Sequence, residues 1–241
     1  MMRRQHEGTA IMSELHIVIP IYPLVTHLDF TGPHQVLSRL PGAKVTVASK
    51  GGQDIAADGL VFSQLADLAK VERCDVICIP GGFGTTDAML DEDFMREVRR
   101  LASGATYLTS VCTGSLVLAA TGLIRGRRAA CHWQWRDLLE PFGVIVDEAR
   151  VARDGNVITG GGVTAGLDFA FTLAAELAGP EVAQSIQLGL EYSPAPPFNS
   201  GRPETAPPEI LAGARQRLDS VVAGRRAAAE EAARRLEAAA G

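Results

Sequence analysis

Basic excess is absent from this sequence. Its 23 Lys and Arg are outnumbered by 28 Asp and Glu, for a net charge of −5, and no basic stripe offers the electrostatic footprint that nucleic acid requires. Cysteine is scarce as well. Cys74, Cys78, Cys112 and Cys131 show none of the paired spacings of a zinc site, and no apolar core follows the two arginines of the opening MMRRQHEGTAIMSE. That excludes a signal peptide or membrane anchor at this position and leads us to expect free thiols in a reducing cytoplasm. We read residues 1–13 as a disordered extension, with Met12 an alternative start. No G-x-G-x-x-G loop follows the first strand, no metal-ligand cluster stands out, and no repeat is visible, so we expect no cofactor and no metal.

What is present suits one globular domain. The chain is 46% hydrophobic over 241 residues, enough to bury a sizeable core. Short apolar runs alternate with amphipathic segments, the pattern of α/β layers around a mostly parallel sheet with helices on both faces. Residues 15–22, 44–49, 75–82 and 106–111 read as strands, and 31–40, 91–103, 113–121, 164–178 and 181–192 as helices. Asp154-Gly155 reads as a hairpin turn. We place the α/β domain at 14–206. A proline-rich wrap or linker, residues 192–209, leads to a helical extension over 207–241. Its alanine, arginine and glutamate read as one helix or two, packed by a single apolar edge or kept for a partner.

The chemistry concentrates at a corner. In LTSVCTGSLVLAATG, residues 108–122, Cys112 ends a β-prone run immediately before a helix, and Gly114 lets the chain turn sharply, which is the layout of a nucleophile elbow. The N–H groups and dipole at a helix start favour a thiolate and can bring a cysteine pKa from roughly 8.5 to about 3.5–7.5. The competing reading is a cysteine that only packs. Cys74 and Cys78, before and inside an apolar strand, fit that description well. Cys131 and His132 are sequence neighbours that point to opposite sides of a strand, so His132 is read as a structural histidine, with a general base reached across the fold as the alternative. Three glycines in ITGGGVTAG, residues 158–166, allow close backbone approach, and Val163 after them is a candidate for strained backbone.

The segments LDFTGPHQVL (28–37), DVICIPGGFG (75–84), SVCTGSLVLAATGLIRGRRAACHW (110–133), GNVITGGGVTAGLDFAFTLAAEL (155–177) and QLGLEYSPAPPFNSG (187–201) together resemble the ThiJ/PfpI superfamily, over about residues 14–220. Within it they are similar to the branch that hydrates isonitriles. The resemblance implies a flavodoxin-like sandwich, a homodimer, and attack by Cys112 on the terminal carbon of R–N≡C, with water as the second reactant. Hydrolase-like relatives carry histidine directly after the nucleophile; here Thr113 follows it, which removes the usual base. The acidic residue that relatives place against the cysteine corresponds to Asp29.

These expectations leave several roles open. Asp29 is either the acid and base that exchanges protons with the substrate or an N-cap for the following helix. Thr113 is expected to hold water or the substrate nitrogen, its N–H and that of Gly82 forming a donor pocket facing the sulfur; otherwise Thr113 caps its helix and Gly82 turns the chain. Phe83, Trp133 and Tyr192 are candidate apolar liners. Glyoxalase- or deglycase-like activity on the same cysteine is one competing function. A ligand-sensing domain like those of AraC-type regulators is another, although those continue into helix-turn-helix units.

Overall fold

The computed structural model describes residues 14–240, so the extension expected over 1–13 lies outside the described residues. In chain order the strands are β1 (Leu15–Pro20), β2 (Ala43–Ser49), β3 (Ile55–Ala57), β4 (Leu60–Phe62), β5 (Ala66–Asp67), β6 (Val76–Ile79), β7 (Tyr107–Val111), β8 (Arg128–Ala130), β9 (Ile145–Asp147), β10 (Val151–Asp154) and β11 (Val157–Gly160). The helices are α1 (His27–Leu37), α2 (Thr85–Leu90), α3 (Glu92–Gly104), α4 (Gly114–Ala119), α5 (Ala165–Ala178), α6 (Pro180–Gly189) and α7 (Pro208–Ala240). Seven strands form the central sheet in the order β10-β11-β7-β6-β1-β2-β5. All neighbours are parallel except the β10–β11 hairpin, whose turn is Gly155-Asn156, one residue beyond the expected Asp154-Gly155, because Asp154 still pairs with Val157.

The inner strands are apolar on both faces because both faces are covered. In β1, Ile17 and Ile19 join a core under α1, α5 and α6, while Val18 joins a second core under α2, α3, α4 and α7. The same alternation splits β6, with Val76 and Cys78 on the first side and Ile77 and Ile79 on the second, as a period of two dictates. Cys74 and Cys78 pack in these cores as expected. The start of α3 follows the sequence closely: Asp91 accepts from the N–H groups of Asp93 and Phe94, satisfying donors that a helix start leaves open.

Two helices differ from the sequence reading. The first begins at His27, four residues before the expected Thr31, and runs through Pro33. Proline favours the first helical turn, which drew the expected start toward it. The terminal extension is one continuous helix, α7. Leu218, Val221, Val222, Ala228, Ala229, Ala232, Ala233 and Leu236 face the second core, a single stripe at helical spacing. This helix packs back over the domain.

Phe169 of α5 is fully buried in the first core, whereas Phe198 is largely exposed. Phe169→Ala is expected to cost about 3–5 kcal/mol of stability and Phe198→Ala less than about 0.5 kcal/mol, as read by denaturant unfolding.

Candidate active site

The carboxyl ends of β1, β6 and β7 open on one side of the sheet, and the loops there converge. β7 delivers Cys112 at its end, and α4 begins two residues later. Cys112 has φ +58°, a left-handed conformation that costs a non-glycine residue about 1–3 kcal/mol. Its N–H is held by the carbonyls of Gly160 (3.1 Å) and Gly161 (2.8 Å). The strain expected at Val163 falls on Cys112 instead; Val163 is not among the residues with positive φ.

The elbow sits directly on the Pro80-Gly81-Gly82 loop. A Cβ on Gly114 would lie 2.1 Å from the Ile79 carbonyl oxygen, and one on Gly81 would lie 2.5 Å from the Thr113 nitrogen and 2.9 Å from Asp29 Oδ2. Neither position admits a side chain. The space is taken up by hydrogen bonds. Gly81 N–H donates to Asp29 Oδ2 (2.9 Å) and Gly82 N–H to Thr113 Oγ1 (2.9 Å). Thr113 Oγ1 also shares a hydrogen bond with Thr85 Oγ1 (2.7 Å), which in turn meets the Tyr22 hydroxyl (3.0 Å), and Tyr22 donates to the Pro80 carbonyl (2.7 Å).

Asp29 is the third residue of α1 and not its cap. The cap position belongs to Thr26, and the Asp29 carboxyl reaches instead to the Gly81 loop. The side chain is fully buried and Oδ1 has no hydrogen-bond partner. Burial pushes its pKa up to about 7, opposed by the Gly81 N–H and the Cys112 thiol. Cys112 is affected in the same sense: burial, then Asp29, then Cys131 push its pKa well up, against the N–H groups of Thr113 and Val163 that point at the sulfur. The depression expected from a helix start does not prevail, because α4 is only six residues long and the thiol is buried beside a carboxyl. Asp29 and Cys112 therefore form a coupled pair that retains a proton near neutral pH.

Around the sulfur lies a cleft of about 140 Å³, lined among others by Cys112, Thr113, Gly82, Phe83, His132 and Val163. The donor pocket differs from expectation. The Gly82 N–H is already engaged by Thr113, and the second backbone donor at the sulfur is Val163. Thr113 makes no side-chain cap to α4. Phe83 lines the cleft, Trp133 lines a neighbouring cavity, and Tyr192 lies away, donating to Asp168 Oδ1 (2.8 Å) and stacking on Phe171. Cys131 and His132 lie just past β8 rather than on a strand. His132 faces the cleft, and burial and the nearby Arg225 bring its pKa down to about 4, so it is neutral there.

Leu218 and Arg225 of α7 complete the cleft wall. The sequence reading did not include them. The available signal was Arg225 itself, the one charged residue on an otherwise apolar stripe of α7.

A cysteine held at a strand–helix corner above a mostly parallel sheet, with a buried carboxyl against it, is the frame of one family. The chain belongs to the DJ-1/PfpI family, whose profile matches residues 16–176. It is 47% identical to the isonitrile hydratase of Pseudomonas putida over 92% of this chain and 98% of that protein. It is 32% identical to protein dj-1beta of Drosophila melanogaster over 74% of this chain and 97% of that one. The crystal structure of a ThiJ/PfpI family protein from Pseudomonas syringae superimposes with a TM-score of 0.86 at 39% identity, over 92% of this chain and 91% of that chain.

The Asp29 environment predicts a pH signature. A carboxyl raised from 3.8 to about 7 on folding leaves the folded protein with more bound protons than the unfolded chain between those values, so this group makes stability fall as pH rises through that window, by on the order of 4 kcal/mol in total. Denaturant unfolding of the wild type and Asp29→Asn from pH 4 to 8 should show the variant without that loss. Parallel pH profiles would mean that the carboxyl is not raised.

Proposed function

We propose that the protein hydrates isonitriles to N-substituted formamides, with Cys112 as nucleophile and Asp29 as the group that moves protons. The observation that carries this reading is 47% identity to an isonitrile hydratase over nearly the whole of both chains. The pairing of a raised, buried carboxyl with a thiol that lines a small cleft supports it.

The substrate is a linear R–N≡C group with a carbon that accepts a nucleophile and then a proton. The Asp29 carboxylate takes the Cys112 thiol proton as the sulfur forms an S–C bond to the terminal carbon, and Asp29 then protonates that carbon to give a thioimidate, R–N=CH–S. The Asp29 carboxylate takes a proton from water as the oxygen adds, and passes it to the nitrogen. It then takes the hydroxyl proton as the C–S bond breaks, releasing R–NH–CHO, and returns that proton to the sulfur, which restores the thiol and the carboxylate. One RNC and one water become one formamide. The N–H groups of Thr113 and Val163 offset sulfur charge at the first and last steps. The Thr113 hydroxyl, bonded to Thr85 and Gly82, fixes the loop beside the reacting carbon and faces the water or nitrogen there. Gly82 contributes as cleft wall, its N–H holding Thr113. A homodimer belongs to the same reading on the strength of the family resemblance, and a cytoplasmic location on the strength of the few, unpaired cysteines; sedimentation and cell fractionation test them.

Incubation with a simple aryl isonitrile, followed by mass spectrometry for the formamide, tests the activity. Cys112→Ala is expected to abolish turnover, while changing Cys74, Cys78 and Cys131 together to Ser leaves most of it. Asp29→Asn is expected to lose about 10² to 10⁴ in rate. Near-normal formamide production by folded Asp29→Asn would remove the carboxyl from the mechanism, and His132 would be the next proton donor to test.

A further inference from the structure

We propose that Arg225 is a positioning residue of the Cys112 site: from α7 it clamps the Gly82–Phe83 turn and sets a fixed positive charge beside the buried thiol. The proposal builds on the Cys112–Asp29 pair described above.

Arg225 is buried to 2% exposure, where an arginine is expensive unless it is paired. Among the described residues no carboxylate lies within ion-pair distance of it; the ion pairs of α7 are made by its neighbours, Arg226 with Asp137, Arg234 with Glu231, and Arg235 with Glu231 and Glu92. Its guanidinium is held by neutral groups. It donates to the carbonyls of Gly82 and Phe83 (3.0 Å each) and to Thr86 Oγ1 (3.3 Å), and it lies 4.5 Å from the centroid of the Trp135 ring. A planar guanidinium with Nη2 on two consecutive carbonyls and Nε on Thr86, backed by an aromatic face, is a fixed placement. The clamped turn is the one whose N–H groups hold Asp29 and Thr113.

The anion that such a cation lacks is available only in the site. Arg225 lines the same cleft as Cys112, and negative charge on Tyr22, Cys112 or Cys131 favours its charged form, as Arg225 in turn favours the charged form of Cys131. The other titratable groups facing the sulfur or this cation are Asp29 on α1, Tyr22 after β1, and Cys131 and His132 after β8, with Asp137 beyond Cys131. Arg225 is the only permanent cation in that set. It also lies beyond residue 176, where the family profile ends.

The test is the pH dependence of Cys112 alkylation by iodoacetamide, followed on the Cys112 peptide by mass spectrometry, in the full chain and in Arg225→Met and Arg225→Lys. Methionine keeps the volume and removes the charge; its alkylation midpoint is expected to rise by about one pH unit or more. Lysine keeps the charge and loses the planar guanidinium, so its midpoint is expected within a few tenths of wild type while formamide turnover falls about tenfold or more. A folded Arg225→Met with an unchanged midpoint overturns the proposal, as does an Arg225→Lys midpoint that moves as far as that of methionine. If Arg225→Met does not fold, Arg225→Gln is read the same way. Alkylation requires no isonitrile, so this outcome stands apart from whether the protein makes a formamide.

Discussion

The structure around the site depends on one close approach: the Pro80-Gly81-Gly82 loop lies against the Cys112-Thr113-Gly114 elbow with no side chain between them. Two backbone segments in contact leave their N–H groups nowhere to go except to atoms of the other segment and its neighbours. Gly81 finds Asp29 and Gly82 finds Thr113. The same contact keeps Cys112 in its left-handed conformation, because the strand behind it and the loop beside it leave no room to relax. The position of the carboxyl, the orientation of the threonine and the strain at the cysteine are thus consequences of one packing event between the ends of β6 and β7.

Burial then determines the electrostatics. A thiol and a carboxyl in the open would ionise independently, and the helix start would favour the thiolate. Enclosed together they compete for charge, and both are driven toward their neutral forms. In the proposed reaction this pair exchanges its proton over a short distance, without bulk solvent as intermediary. A histidine is close by, but burial and a neighbouring cation keep it neutral, in keeping with the proposed carboxyl route.

Much of this was legible in the sequence, and the remainder was not for physical reasons. The elbow could be read because strand, cysteine and glycine are contiguous, and local chemistry fixes the turn. The two-sided apolar strands announced a covered sheet. The start of α1 was misplaced because Pro33 resembles a first-turn proline, while here it sits inside a helix whose beginning has no clear cap. The Gly82 donor was assigned to the substrate because its capture by Thr113, 31 residues away, is a tertiary event. The role of Arg225 was unreadable for the same reason: its place on an apolar stripe marks it as turned inward, but what it meets there depends on α7 folding back over a loop more than a hundred residues earlier in the chain.

The ends of the central sheet carry a consequence of their own. At one margin β5 contributes two residues, and at the other β10 contributes four, with Arg153 and Asp154 among them and Arg153 tied to Glu176. Neither margin offers another chain a long, flat row of unpaired amides, and charged side chains further discourage β-pairing. Copies of this protein therefore have little opportunity to extend one another's central sheet.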